Sequence, residues 1–509
     1  MLYLGIDSST QGVKGVVIDP EKGKIVAQSS VNFGKDLPQY ESPEGYLYNR
    51  DPLVKHSDPC MWLDGLELMF SRLTEEDVDM GQISAISGSG QQHGSVYLHK
   101  KASAVLASLD PQKTLSEQMK ETFSRKSSPI WMDRSTEKEC GLLTERFADT
   151  LQYLTGSPAT ERFTGPQICK FSREDFSSYQ ETEKIHLVSS FLCSLLIGKH
   201  APIDYGDGAG MNLLDLHKLV WDKEIVSFTA PSLMEKLPQC VPSHTVAGYL
   251  VPYFEKYGLK ANIPVIVWSG DNPCSLVGTG CAGAGTAGIS LGTSDTVFAT
   301  MQNYELDPEK CGHVMGNPAG GFMSLICFSN GSLARDLLRR EIGATWEEFD
   351  ALGAFAPAGS NKLLLPYFQP ESTPPVLVPE VKYNFDYACA SPAEKVKALL
   401  ESQALSMRKH TLYLSEKIKK IRLTGGASLC GSFRQIIADV FQADVEIIQV
   451  SNSAGLGAAM RAAAAAGNYS FAFLNSLFTA ATEVVFPDRS KKELYEKSLF
   501  LYGELEKKK

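Results

Sequence analysis

The sequence predicts an α/β protein built from two large halves that share a core topology. Three observations lead there. The chain opens on β-prone apolar segments broken by tight polar turns, and stretches of helical periodicity follow them. The opening plan returns late, because residues 287–298 again read as an apolar strand, a Gly/Thr/Ser turn and a resumed strand. Length agrees, since 509 residues suit two α/β domains of about 250 residues each.

Residues 2–7 form the first strand, which ends at Asp7. Ser8, Ser9, Thr10, Gln11 and Gly12 make a turn rich in hydroxyls, and residues 13–18 resume a strand. Asp19-Pro20-Glu21-Lys22-Gly23 is a strong turn signal, so residues 24–28 complete an antiparallel meander. Periodicity predicts a helix around 62–73, then a short strand over 83–87 that opens into Gly90-Gln91-Gln92-His93-Gly94. Residues 100–128 are rich in Lys and Ser, show little periodicity, and read as a surface insertion. Residues 265–268 form a buried strand running into Ser269-Gly270-Asp271-Asn272-Pro273. The small-residue stretch 278–288 marks a domain junction, giving domains 1–282 and 283–509. Beyond it come a helix over 395–408 and a strand over 421–423 that leads into Thr424-Gly425-Gly426-Ala427-Ser428. A small-residue helix over 457–466 must pack closely on a neighbour, and helical spacing from Lys491 closes the chain.

Composition excludes several classes. Net charge is −10, from 49 basic against 59 acidic side chains, which does not suit a sequence-independent nucleic-acid binder. Phosphate ligands stay allowed, because backbone N–H groups can build such sites locally. The 11 cysteines, an odd number without a C-x-x-C pair, read as small buried apolar residues and not as a disulfide framework or a zinc site. The first residues lack the basic region of a signal peptide. Residues 185–197 lean apolar but are too short to span a bilayer. The expected setting is cytoplasmic, with no nucleic acid and no membrane as partners; a homodimer stays open.

No G-x-x-x-x-G-K-[ST] occurs, which excludes a Walker-type NTPase. A G-x-G-x-x-G at 278–283 begins too far after its strand for a dinucleotide site. What remains is three polar turns at strand ends: 7–12, 292–295 and 425–428. Glycine lets the backbone approach a phosphate, and hydroxyls with exposed N–H groups donate to its oxygens. Asp271, after a buried strand, is suited to general-base work in phosphoryl transfer or to capping a helix that starts at Pro273. His93, among amides and glycines, suits a polyol ligand or an ordinary loop hydrogen bond.

The order of Gly5-Ile6-Asp7-Ser8-Ser9-Thr10-Gln11, Gly90-Gln91-Gln92-His93-Gly94, Trp131-Met132-Asp133, Gly270-Asp271-Asn272, Leu291-Gly292-Thr293-Ser294 and Thr424-Gly425-Gly426-Ala427-Ser428 resembles the FGGY carbohydrate kinases over nearly the whole chain. Gln91-Gln92-His93-Gly94, residues 161–165 and residues 203–208 look most like the xylulose kinase branch. The resemblance implies an actin-like ATPase (ribonuclease H-like) fold in two similar domains around a cleft. The first domain would bind the sugar and carry the base, and the second would bind ATP. It implies Asp271 as the base, with Gln92, His93, Arg162, Asp271 and Asn272 on a small ketose, D-xylulose first. Thr10, Gln11, Gly292 and Thr293 would approach the phosphates of ATP, and Gly425, Gly426 and Ala427 the adenosine. Trp346 would pack near adenine or serve as a core aromatic. Asp7 would organise Mg2+. Another ketose or polyol, such as ribulose, is the alternative substrate, and a sugar-free ATPase switch the more distant one. Three departures from the general family pattern stand out: Ser135 where the family often carries Arg, as the xylulose kinase branch also departs; no tryptophan over 166–171, where bacterial members commonly have one; and Leu429-Cys430 where relatives commonly carry a polar residue.

Overall fold

The computed structural model describes residues 1–507. The chain folds into two compact units. The first comprises Met1–Ala282, Val314–Phe322 and Ser451–Thr479; the second comprises Gly283–His313, Met323–Val450 and Ala480–Lys509.

The sheet of the first unit is built from β1 (Leu2–Ser8), β2 (Gly12–Asp19), β3 (Lys24–Asn32), β4 (Ile83–Gly90), β5 (Val246–Tyr249) and β6 (Pro264–Ile266), in the order β5-β6-β4-β1-β2-β3. Every residue of β1 is buried, so it reads as a continuous apolar run and not as an alternation. It pairs antiparallel with β2 and parallel with β4, which sets Asp7 between Lys14 and Ser89. A two-residue strand, Ser269–Gly270, pairs with β4 at Ser89 and Gly90.

The second unit repeats this plan with β7 (Thr286–Leu291), β8 (Asp295–Met301), β9 (Phe322–Phe328), β10 (Lys420–Thr424), β11 (Asp444–Ile447) and β12 (Glu483–Val485). Their order is β9-β8-β7-β10-β11-β12. Strand for strand this matches β3-β2-β1-β4-β6-β5, with β7 antiparallel to β8, parallel to β10, and β11 carrying an antiparallel edge strand. The weak echo in the sequence is therefore a repeated sheet, the actin-like ATPase plan. Turns 8–12 and 291–295 occupy equivalent places in it.

The principal helices are α1 (Pro59–Thr74) and α2 (Asp271–Gly278) in the first unit, then α3 (Ser332–Glu341), α4 (Trp346–Phe355), α5 (Pro392–Lys409) and α6 (Gly431–Phe441) in the second. They are followed by α7 (Ser453–Gly467) in the first and α8 (Lys492–Lys507) in the second. Helix α1 starts where Asp58 accepts from Cys60 N and a proline takes the first position. It buries Trp62, Leu66, Met69, Phe70 and Leu73 in the core. Among the described residues no helix is long and apolar enough to cross a membrane.

The expectation for 100–128 is corrected. These residues form helices Lys101–Ala107 and Leu115–Met119, and Ala102, Leu106, Leu115 and Met119 lie in the first unit's core. Leu115 N donates to Glu67 Oε2 on α1 at 2.7 Å. Helices this short do not complete a periodic pattern, which is why composition made the segment look like surface.

Helix α7 shows what its small residues are for. A Cβ on Gly5 would stand 2.1 Å from Gly455 O and 2.3 Å from Ala459 N. One on Gly278 would stand 1.8 Å from Ser453 O, and one on Gly457 1.9 Å from Cys274 O. The backbones of β1, α2 and α7 thus touch directly. Gly457→Ala should destabilise the protein by about 1–3 kcal/mol, because a backbone must move. Gly141→Ala is the control: it sits in helix Glu137–Phe147 with nothing within 4 Å of the added carbon, and should stabilise by about 0.5–1 kcal/mol. Thermal unfolding of both variants reads the opposite signs.

Candidate active site

Asp7 stands near the end of β1, 5% exposed, facing the first turn. Burial pushes its carboxyl up to about 6, while Ser89 and Lys14 pull the other way. Its Oδ1 makes no hydrogen bond of good geometry, although the Ser89 hydroxyl lies near enough to hold the carboxyl down, and the Ser8 hydroxyl makes none either. The turn beyond is held locally, with Ser9 N donating to Gly12 O at 2.9 Å. Thr10 is half-buried and Gln11 exposed. The Trp131 indole donates to Thr10 Oγ1 at 2.7 Å, a contact 121 residues apart in the chain that sequence reasoning did not supply.

Asp271 does not cap a helix that starts at Pro273. Helix α2 begins at Asp271 itself, with Gly270 as its N-cap, so the carboxylate sits at the positive end of the helix dipole. The alternative considered from sequence is thus corrected by two residues. Burial, then the charge of Asp7, push the Asp271 carboxyl up to about 7; backbone N–H groups at Asn272, Gln92 and Asp271 itself oppose this. Part of its surface stays open to solvent. Asn272 Nδ2 donates to Asp271 Oδ1 at 3.0 Å and to Gln92 Oε1 at 2.7 Å. Gly270 makes room for this row, since a Cβ there would stand 2.4 Å from Gln92 Cγ.

His93 has φ of 68°, the left-handed region, and is 5% exposed. Its ring stacks on Phe163 at 4.3 Å, and Nδ1 lies 2.8 Å from Gly210 O. A carbonyl only accepts, so Nδ1 carries the proton, and a neutral ring so held has its lone pair on Nε2. Arg162 is half-buried and immediately precedes Phe163. The first unit therefore gathers Asp7, Gln92, His93, Asp271 and Asn272 around the ends of β1 and β4 and the start of α2.

Two further buried carboxylates lie within segments that the sequence motifs marked, without a role having been assigned to either. Asp207 is fully buried, and burial pushes its carboxyl well above the usual range; the Ser189 hydroxyl donates to it. Asp133 is also buried, yet bonds from His56, Ser135 and Lys55 N overcome the burial and hold it low. Ser135 donates its hydroxyl to Asp133 Oδ1 at 2.6 Å and accepts from Lys170 Nζ at 2.8 Å, so a cation from 35 residues away stands beside this pair.

In the second unit, the turn after β7 is tied by Asp295. Arg335 of α3 grips it with two bonds of 2.8 and 2.9 Å, both groups buried. Ser332 N donates to Gly292 O at 2.9 Å. Gly292 is half-buried, and Thr293 is exposed at the turn's tip. Gly425 has φ of 92°, and a Cβ there would stand 2.4 Å from Leu291 O, so the strand ends of β7 and β10 meet at a residue that must be glycine.

Gly426 and Ala427 open onto a pocket of about 590 Å³ with Trp346, Arg335, Asp350, Leu429 and Cys430. Trp346 is no core aromatic: it is 51% exposed, begins α4, and has the Arg339 guanidinium 5.0 Å over its ring. Leu429 is 75% exposed and adds apolar surface. Asp350 caps α6, accepting from Gly431 N at 2.9 Å and Ser432 N at 2.7 Å. The departure at Leu429-Cys430 thus gives one exposed apolar wall and one thiol facing Asp350 Oδ1 at 3.2 Å.

The N-terminal domain model of the FGGY family of carbohydrate kinases matches residues 126–278, and the C-terminal domain model matches residues 287–466. Xylulose kinase 2 of Arabidopsis thaliana is 40% identical over 488 residues, covering 91% of this chain and 87% of that protein. The xylulose kinase of Rattus norvegicus is 38% identical over 520 residues, covering 99% of this chain and 96% of that one. Among solved structures, a xyloylose kinase from Brucella ovis superposes with a TM-score of 0.83 at 22% identity, covering 99% of this chain and 98% of that chain; at that identity the likeness is one of fold. With both family domains matched in order and relatives at this identity along its length, the chain belongs to the FGGY family of carbohydrate kinases.

Proposed function

We propose that the protein transfers the γ-phosphoryl group of ATP to the terminal hydroxyl of D-xylulose, giving D-xylulose 5-phosphate and ADP. The observation that carries the mechanism is Asp271 at the first position of α2, its carboxyl pushed up to about 7 and braced by Asn272. A carboxylate with a raised pKa is a better base than an ordinary one and is still ionised in useful amount at neutral pH. The relatives named xylulose kinase favour that sugar over another ketose.

In this reading Gln92, His93, Arg162 and Asn272 bind the ketose. The Nε2 lone pair of His93 accepts from a sugar hydroxyl, and the amides fix others. Asp271 takes the proton of the attacking hydroxyl as its oxygen bonds to the γ-phosphorus. The bond from that phosphorus to the bridging oxygen breaks, and the electron pair leaves with ADP. Donors at Thr10, Gln11, Gly292 and Thr293 face the phosphates, and Trp346, Gly425, Gly426 and Ala427 receive the adenosine. Positioning supplies most of the acceleration, since no covalent intermediate is needed.

Mg2+ fits the residues present. Asp7 Oδ1 is a buried carboxylate oxygen with no well-formed hydrogen bond, and a hydrated divalent cation would complete it. When bound, magnesium neutralises charge on the phosphates. We place the enzyme in the cytoplasm, a setting that free thiols at all 11 cysteines favour.

ADP release measured across D-xylulose, D-ribulose, L-xylulose, D-fructose, glycerol and no sugar should be fastest with D-xylulose. Turnover with another sugar would keep the kinase and discard this substrate. Hydrolysis indifferent to every sugar would sink the whole reading. Asp271→Asn should cost about 100- to 10,000-fold in kcat. The base works ionised, so kcat/KM should fall as pH falls through an ionisation above the ordinary carboxylate range and no higher than about 7; a flat profile down to pH ~5 would remove Asp271 from the role.

Asp7 gives a third test. Its folded pKa of about 6 lies above the unfolded value, so its ionisation opposes folding once pH exceeds both. Asp7→Asn should abolish turnover yet raise the unfolding midpoint at pH ~8 without divalent cations, by up to about 3 kcal/mol. A lower midpoint would show that the carboxylate is structural.

A further inference from the structure

A second group of ligating side chains meets in the second unit, apart from the kinase residues. The turn over 307–312 is held by Asp307, whose Oδ1 accepts from Glu309 N at 2.9 Å and whose Oδ2 accepts from Cys311 N and Gly312 N at 2.8 Å. It leaves Glu309 exposed and buries Cys311. His410, just past α5, is 3% exposed. One ligand atom from each of Glu309, Cys311 and His410 lies within 4.8 Å of the others.

The ring of His410 is oriented from its far side. Nε2 donates to Glu506 Oε1 of α8 at 3.3 Å, since a carboxylate only accepts. In the tautomer this bond selects, the lone pair is on Nδ1. That atom makes no hydrogen bond, although Glu309 Oε2 lies 3.3 Å away. In that tautomer the buried Nδ1 lone pair faces the carboxylate of Glu309, which is exposed and held by Lys409, and a cation bound between them would give the nitrogen the partner it lacks. The spacing suits one: metal bonds of about 2.0–2.3 Å put tetrahedral neighbours about 3.3–3.7 Å apart. The pair at 3.3 Å needs no movement, and the widest separation allowed by 4.8 Å needs closure by about an ångström.

We propose that Glu309, Cys311 and His410 bind a divalent cation of the zinc class, with water as the fourth ligand and Glu506 orienting the imidazole. Thiolate with imidazole selects a borderline metal over Mg2+ and Ca2+, which take oxygen. Glu506 behind His410 is the carboxylate partner that metal-bound histidines commonly have. Lys409 Nζ now lies 2.7 Å from Glu309 and 2.6 Å from Glu506; on binding it gives up the first and keeps the second. The Cys311 thiol, pushed up by burial to about 12, loses its proton to solvent as the sulfur–metal bond forms. The sequence showed no zinc pattern because Cys311 and His410 stand on separate elements, 99 positions apart.

The full chain, freed of metal, tests this by titration with Co2+ and displacement by Zn2+. Binding of one equivalent is expected, with a thiolate-to-cobalt charge-transfer band and the strong visible bands of tetrahedral cobalt. Zn2+ should bleach both and Mg2+ neither. Cys311→Ser should abolish the charge-transfer band, and Glu309→Gln, an exposed change that leaves packing intact, should weaken binding at least ~10-fold. Glu506→Gln should weaken it about 10- to 100-fold through the imidazole. Cys389→Ser, at an exposed cysteine elsewhere, should change nothing. No thiolate band in the parent chain, a band that survives Cys311→Ser, or affinity indifferent to Glu309→Gln each overturns the site; circular dichroism confirms that every variant is folded.

Discussion

The close contact of three backbones holds the first unit's chemistry in place. Helix α7 can lie on β1 and α2 only because Gly5, Gly278 and Gly457 lack side chains at the crossing points. Gly5 stands two residues before Asp7, and α2 starts with Asp271. The same contact that packs the helix therefore fixes the heights of both carboxylates. Arg461 of α7 reinforces it from within, donating to the buried carbonyls Ser243 O at 2.9 Å and Val267 O at 2.8 Å near strand ends. A segment late in the chain is thus what makes the start of the chain rigid.

Rigidity matters because the site is electrostatically unfavourable on its own. Asp7, Asp207 and Asp271 all have carboxyls raised chiefly by burial. Left to relax, such groups would turn toward water or toward one another's protons. Here they are carried on β1, on a short helix that begins at Tyr205 and on α2, and the sheet gives them little freedom. On the proposed reading the folding cost is the counterpart of the function: the buried, unsatisfied oxygen at Asp7 would stabilise a cation, and the raised carboxyl at Asp271 would accept a proton. The second unit uses the opposite solution at the equivalent turn. Asp295 is buried but neutralised by Arg335, which makes its turn a fixed scaffold.

Much of this was legible in the sequence, and the part that was not has a common cause. The meander, the β4 strand and the repeat at 287–298 rest on local pattern, and local pattern survives into the fold. The small residues of 457–466 announced a close contact, but the sequence could not say with what; the answer lay at Gly5, more than 450 positions away. The helices within 100–128 were missed because they are too short for periodicity. The start of α2 was misplaced because Pro273 is a strong first-turn signal, while the true N-cap, Gly270, is chosen by its pairing with Gly90. Trp131 against Thr10, Lys170 against Ser135 and Arg335 against Asp295 are all long-range pairs. No window of sequence contains both members of any of them.

This division also bears on where specificity for a sugar resides. The repeated sheets fix the two turns and Asp271, and one fold serves many substrates; on the proposed reading the choice of sugar would fall to side chains that the sheets merely support. Gln92 is held by Asn272, and His93 by Phe163 and Gly210, each with its donor and acceptor atoms assigned by a neighbour. A site whose polar atoms are fixed in this way rejects an epimer strongly, because a misplaced hydroxyl leaves a buried donor or acceptor unpaired. The left-handed backbone at His93 is the clearest sign of this. A non-glycine residue is kept there against a local conformational cost, and Gly210, with its carbonyl on the ring nitrogen, supplies the compensation.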